Sequence, residues 1–245
     1  MNSMLRSGGR WECNQLVCKK MVDICAQYGM YWDIKFNSAK SQCISFGGCQ
    51  PPTFSVTLNE QVVQWVHKLK YLGCFFNQSC IIDYSNSVQK FYGNFNNILS
   101  VLGRSRNEIT AVHLVNSYCI PSLLYGCEIW DFKSCDYHKV NVIWNNAFRK
   151  IFQCCWRESV TCLQYYCKVM PLSYIIDQRI ILFHIKVRSC NNSVIQSLYA
   201  VNTSAAKIMS KYSLQSFRYS PHQIKAHMWK HFVDSSVMSG KLSVF

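Results

Sequence analysis

Near residue 84 the period of the apolar residues changes, and this change restricts the chain to folds that keep strands and helices apart. Before it, Trp32, Ile34 and Phe36 alternate with Asp33, Lys35 and Asn37, and Phe54, Val56 and Leu58 alternate with Thr53, Ser55 and Thr57. A period of two puts every second side chain on one face of a half-buried strand. After it, Val88, Phe91, Phe95, Ile98 and Leu102 recur at steps of three and four, which is one face of a helix. Strands gathered ahead of helices, instead of alternating with them, predict an α+β chain.

Punctuation residues divide both halves. Val17, Met21, Ile24 and Tyr28 outline an amphipathic helix over roughly 11–30, with Gly29 as its stop. A turn at Asn37-Ser38 leads to a second alternation through Ile44 and Phe46. Gly47-Gly48 and Pro51-Pro52 mark a loop, Asn59-Glu60 a second turn, and Val62–Val66 and Leu69–Phe76 two short apolar runs. In the helical part, Gly103 stops one helix and Asn107-Glu108 opens the next, which carries Val112 and Val115. Pro121 and Pro171 introduce further helices, and Val140, Ile143, Ala147 and Ile151 line another. Beyond about 203, Ser and Lys become frequent and Asp234 is the single acid, so short, fraying helices are expected there.

Charge narrows the partners. Twenty-six Lys and Arg face 12 Asp and Glu, a formal net charge of +14, which favours a polyanion such as nucleic acid. The plainer alternative is that such charge serves only solubility. A chain that is 49% apolar and 16% charged is not intrinsically disordered. Its longest apolar stretch, Val169–Val187, is interrupted by Asp177, Arg179 and Lys186, and its first twenty residues hold no apolar signal region. The expectation is an intracellular chain without membrane contact, nuclear or cytoplasmic. An odd cysteine count of 15 in a long chain reads as reduced thiols. Cys13 with Cys18 and Cys162 with Cys167 lie too far apart to combine into a zinc site, and no cysteine follows Cys190 to join His222, His227 and His231. No metal site is expected.

Several segments, in order, resemble one family. Met21–Gly29 followed by Ile34–Phe46 is similar to motif D of the reverse transcriptases of non-LTR, long-interspersed-element retrotransposons, especially jockey-like elements. Lys70-Tyr71-Leu72-Gly73 resembles the family's motif E, the primer grip. Leu124–Trp130 and Trp144–Phe152 resemble its thumb and the helices that follow. The likeness covers roughly 18–190. It implies a partial palm over 1–83, thumb-like helices over 84–135, a C-terminal helical region over 136–202 and a basic tail over 203–245.

The resemblance also implies a chemistry, RNA-directed DNA polymerisation with magnesium. Two metal ions need clustered carboxylates, which the family places ahead of motif D. Here no two acids are adjacent, and only Glu12 precedes that segment. Glu128, Asp131 and Asp136 are close in sequence, yet the resemblance puts them at the end of the thumb. The chain is therefore expected to be a fragment that lacks the catalytic aspartates, with no cofactor of its own. Lys40 matches the motif D lysine that protonates the pyrophosphate leaving group; alternatively it is a turn lysine in solvent. Lys70, Tyr71 and Gly73 read as a grip on a primer strand or as an ordinary strand end. Lys90, Arg104 and Arg106 read as backbone contacts to a template-primer duplex or as a solvated helix face. The functional expectation is residual template-primer binding without catalysis. The alternative is a helical protein-interaction module whose positive charge is incidental. Oligomeric state is open.

Overall fold

In a computed structural model the chain separates after Tyr84 into two units, Met1–Tyr84 and Ser85–Phe245. The structure describes residues 6–7, 10–11, 15–47, 54–79, 81–103, 107–130, 134–200, 204–214 and 219–242. The first unit carries all the strands among them and the second is helical, so the chain is α+β.

In the first unit, β1 (Arg6–Ser7) and β2 (Arg10–Trp11) pair antiparallel ahead of α1 (Gln15–Tyr31). A 3₁₀ turn, Ser38–Lys40, is opened by Asn37, whose side chain accepts the Lys40 N–H at 3.1 Å. Then follow β3 (Gln42–Cys43), β4 (Val56–Leu58), β5 (Gln61–Trp65), β6 (Lys68–Tyr71), β7 (Cys74–Asn77) and β8 (Ile82–Asp83). They form two sheets of order β3-β5-β4 and β6-β7-β8. β3 runs parallel to β5, and the other pairs in these sheets are antiparallel. Val56, Leu58 and Val63 supply the buried apolar side chains.

Three local expectations fail in this unit. Residues 32–37 form no strand: the chain turns back on α1, with Ile34 N–H donating to the Gly29 carbonyl at 2.7 Å, and Trp32, Ile34 and Phe36 are exposed. Alternation alone does not make a strand when no partner strand lies alongside. Nor does the second alternation extend past Cys43. Gly29 does not stop α1, which runs on to Tyr31; a Cβ there would sit 2.6 Å from the Ile34 carbonyl oxygen. The glycine is required by that close approach of backbone. The period of α1 is as read, but Met21, Ile24 and Tyr28 on its apolar stripe are exposed.

The second unit comprises α2 (Ser85–Leu102), α3 (Glu108–Leu123), a 3₁₀ turn Cys127–Ile129, α4 (Ser134–Phe152), α5 (Thr161–Tyr166), α6 (Leu172–Arg188), α7 (Ser193–Ala200), α8 (Ser204–Lys211) and α9 (Pro221–Met238). α2 buries Phe91 and Phe95, stacked at 5.9 Å, and packs on α3. α2 ends where Gly103 takes φ +70°. Asn107 caps α3 by accepting the Thr110 N–H at 3.0 Å. α6 is the hub, touching α4, α7, α8, α9 and the second 3₁₀ turn. Its Ile181 joins Met170, Met209, Tyr212, Leu214, Ile224 and Met228 in one buried cluster.

Two expectations are corrected here. Pro121 lies inside the last turns of α3 and opens no helix, while Pro171 does precede one. The tail does not fray throughout: α9 has 18 residues. Ser220 and Gln223 close a reciprocal capping box at its start, and Ile224, Met228, Phe232 and Ser236 are buried at steps of four. Lysines on the outer face of α9 masked an apolar stripe beneath them.

Candidate nucleic-acid interface

The β6–β7 hairpin builds the most organised of the expected contacts. Its register pairs Lys70 with Phe75 and Tyr71 with Cys74, leaving Leu72-Gly73 as a two-residue turn. Both turn residues have positive φ, 46° and 86°, the geometry whose twist matches antiparallel strands. Gly73 is needed for that conformation. Lys68 and Lys70 lie on one face, their Nζ atoms 4.8 and 5.7 Å from the centre of the Phe75 ring. Lys68 is bound to Asp83 at 2.5 Å. Lys70 has no carboxylate within 4 Å among the described residues, so it is the cation this face offers. Tyr71 points to the opposite face and is 61% exposed, a free aromatic surface next to the turn.

Lys40 ends the first 3₁₀ turn and its side chain is exposed. Lys90 is exposed on α2. Arg104 and Arg106 lie outside the described residues, as does Asp131. The structure thus brings Lys70, Tyr71 and Gly73 together in one hairpin, whereas Lys40 and Lys90 stand singly on other elements.

The described carboxylates are not clustered as a two-metal site requires. Among the described residues no group of three or more His, Cys, Asp or Glu side chains is placed to hold a metal ion. Glu128 faces Arg179 at 4.0 Å, Asp136 faces Lys139 at 3.6 Å, and Asp83 is held by Lys68. The described cysteines form no disulfide among themselves. His231 accepts or donates a hydrogen bond with the Tyr174 hydroxyl at 3.1 Å, and His227 packs against Tyr219.

One polar centre escaped the sequence reading. Asp177 on α6 is buried and receives three donors: the Tyr137 hydroxyl at 2.8 Å, the Tyr212 hydroxyl at 2.5 Å and Lys211 Nζ at 2.8 Å. Burial, then the Asp177 charge, pushes both tyrosine hydroxyls well above the usual phenol range, so they stay protonated and donate. The arrangement ties α4 and the end of α8 to α6. Its only signal in the sequence is the single acid within a largely apolar helical run that Arg179 and Lys186 also interrupt.

Over 211 residues the chain is 21% identical to the RNA-directed DNA polymerase from mobile element jockey of Drosophila funebris. The match covers 84% of this chain and 23% of that relative, so the chain spans about a quarter of its length. No protein-family profile matches the chain. No solved structure matches it. Among the described residues no helix is long and apolar enough to cross a membrane.

Proposed function

We propose that this chain is the motif D to thumb portion of an RNA-directed DNA polymerase of the non-LTR retrotransposon class, and that it holds a template-primer duplex without extending it. The observation that carries this reading is the similarity over 211 residues to a mobile-element polymerase. The β6–β7 hairpin supports it: Gly73 lets the backbone come close to a phosphate, Lys70 supplies a positive charge that no described carboxylate neutralises within 4 Å, and Tyr71 supplies a packing surface. Lys40 would serve the leaving group only where metal-binding carboxylates are present beside it. Asp83, Glu128, Asp136 and Asp177 are instead engaged with cations or hydroxyls, which supports a non-catalytic role.

A second reading, a protein-interaction module, is favoured by the exposed apolar stripe of α1. Fluorescence anisotropy with a labelled RNA–DNA template-primer separates the two. Duplex binding that weakens roughly fivefold or more in Lys70→Glu is the expected result, since a cation facing phosphate is replaced by an anion. No primer extension is expected with magnesium and nucleotides. Unchanged duplex affinity in Lys70→Glu contradicts the grip, and extension contradicts the non-catalytic role.

A further inference from the structure

Where α5 ends, the second unit has a cavity of about 580 Å³ whose lining is aromatic and cationic. Tyr165 and Trp229 stack within it at 6.0 Å and 12° between ring planes, and Tyr166 sets its ring on edge to Tyr165 at 5.7 Å. Lys168, His222, Lys225 and Ala226 complete the wall, and among the described residues no carboxylate lines it. Neither lysine has a carboxylate within 4 Å among the described residues. On α9 the residues His222, Lys225 and Trp229 follow at steps of three and four, so the helix presents them together along the flank of its buried face, where the half-buried Trp229 ring also meets Phe232 at 5.5 Å.

Lys168 occupies this wall at a conformational cost. The C-terminus of α5 closes with Lys168 N–H donating to the Tyr165 carbonyl at 3.0 Å and Val169 N–H to the Gln164 carbonyl at 2.9 Å. That closure requires left-handed backbone at Lys168, which takes φ +54°. Glycine is the ordinary occupant of such a position, and a lysine there is strained. A cation held in left-handed backbone beside stacked rings, with no described carboxylate within 4 Å, is the kind of feature that clusters at ligand sites.

We propose that this cavity binds an unpaired nucleotide of single-stranded nucleic acid, its base on the aromatic rings and its phosphate between Lys168 and Lys225. The volume lies in the range of small-ligand pockets. The cations alone would suit any polyanion, but an acidic peptide would leave three aromatic surfaces unused, whereas every base has a face to stack. This site stands on its own residues and is independent of the duplex grip on β6–β7.

The test uses the whole chain and a labelled oligonucleotide of about eight nucleotides, read by anisotropy and by tryptophan quenching. Tyr166 is 72% exposed, so Tyr166→Ala leaves the fold intact; it is expected to weaken binding roughly tenfold through lost stacking. Lys225→Glu is expected to weaken it by at least as much, and Lys207→Glu, the same charge change at an exposed position of α8, by far less. Lys168→Gly is expected to weaken binding while holding or raising the melting temperature, because it removes charge and backbone strain together. Equal losses in Lys207→Glu and Lys225→Glu would overturn the proposal, as would full affinity in Tyr166→Ala. Competition by polyglutamate as effective as by unlabelled oligonucleotide would also overturn it.

Discussion

Asp177 shows what one residue does in this chain and why it was hard to foresee. Its partners come from positions 137, 211 and 212, and no local pattern announces contacts over such separations. Asp177→Ala would leave the buried Tyr212 hydroxyl and the half-buried Tyr137 hydroxyl without their acceptor, and is expected to destabilise the helical unit by about 3 kcal/mol. Asp177→Asn keeps an acceptor and should lose less. Chemical denaturation of the two variants checks this, and an Asp177→Ala as stable as wild type would show that the buried acid is dispensable. Gly29 was misread for the same reason, since its role depends on Ile34 folding back. Gly103 and Asn107 were legible because a helix stop and a helix cap act on neighbours within a few residues.

At the scale of elements, strands with a partner in an adjacent hairpin were readable, and those without one were not. Val56–Leu58 forms as expected because the Asn59-Glu60 turn, with both residues at positive φ, delivers β5 beside it. The alternation at 32–36 has no such partner. α9 was underestimated because its lysines outweighed its stripe of Ile224, Met228 and Phe232. α1 is the reverse case: its stripe was read correctly, yet Met21 and Ile24 are 63% and 64% exposed. Exposed apolar residues at helical spacing form the kind of surface that other protein covers or that drives aggregation. The double substitution Met21→Lys with Ile24→Glu is expected to raise soluble yield and leave helix content and melting temperature unchanged. A lowered melting temperature or lost helicity would show that the stripe is buried in solution.

For the whole molecule, pH and salt report on different terms. Burial lifts the Cys119 thiol to about 11 and the Cys127 thiol to about 12 from an ordinary 9.0, and lifts Tyr137 and Tyr212 as well. An unfolded chain would ionise these groups first, so their stabilising contribution is whole below about 9 and is lost as pH rises towards 11–12. Burial holds His184 below its ordinary 6.5, so stability from this group is whole above 6.5 and declines as pH falls below it. Thermal melts across pH should therefore show a plateau from about 7 to 9 with losses on both sides; rising stability from 9 to 11 would contradict this assignment of buried thiols and phenols. The net charge of +14 was plain in the sequence, and what it faces is the account's central claim. The most direct measurement is the affinity for an RNA–DNA template-primer between about 50 and 200 mM salt. The account predicts a linear fall of log affinity with log salt, with the same slope for unrelated sequences and a shallower slope in Lys70→Glu. Affinity that does not change with salt, or no binding at the low end, contradicts it.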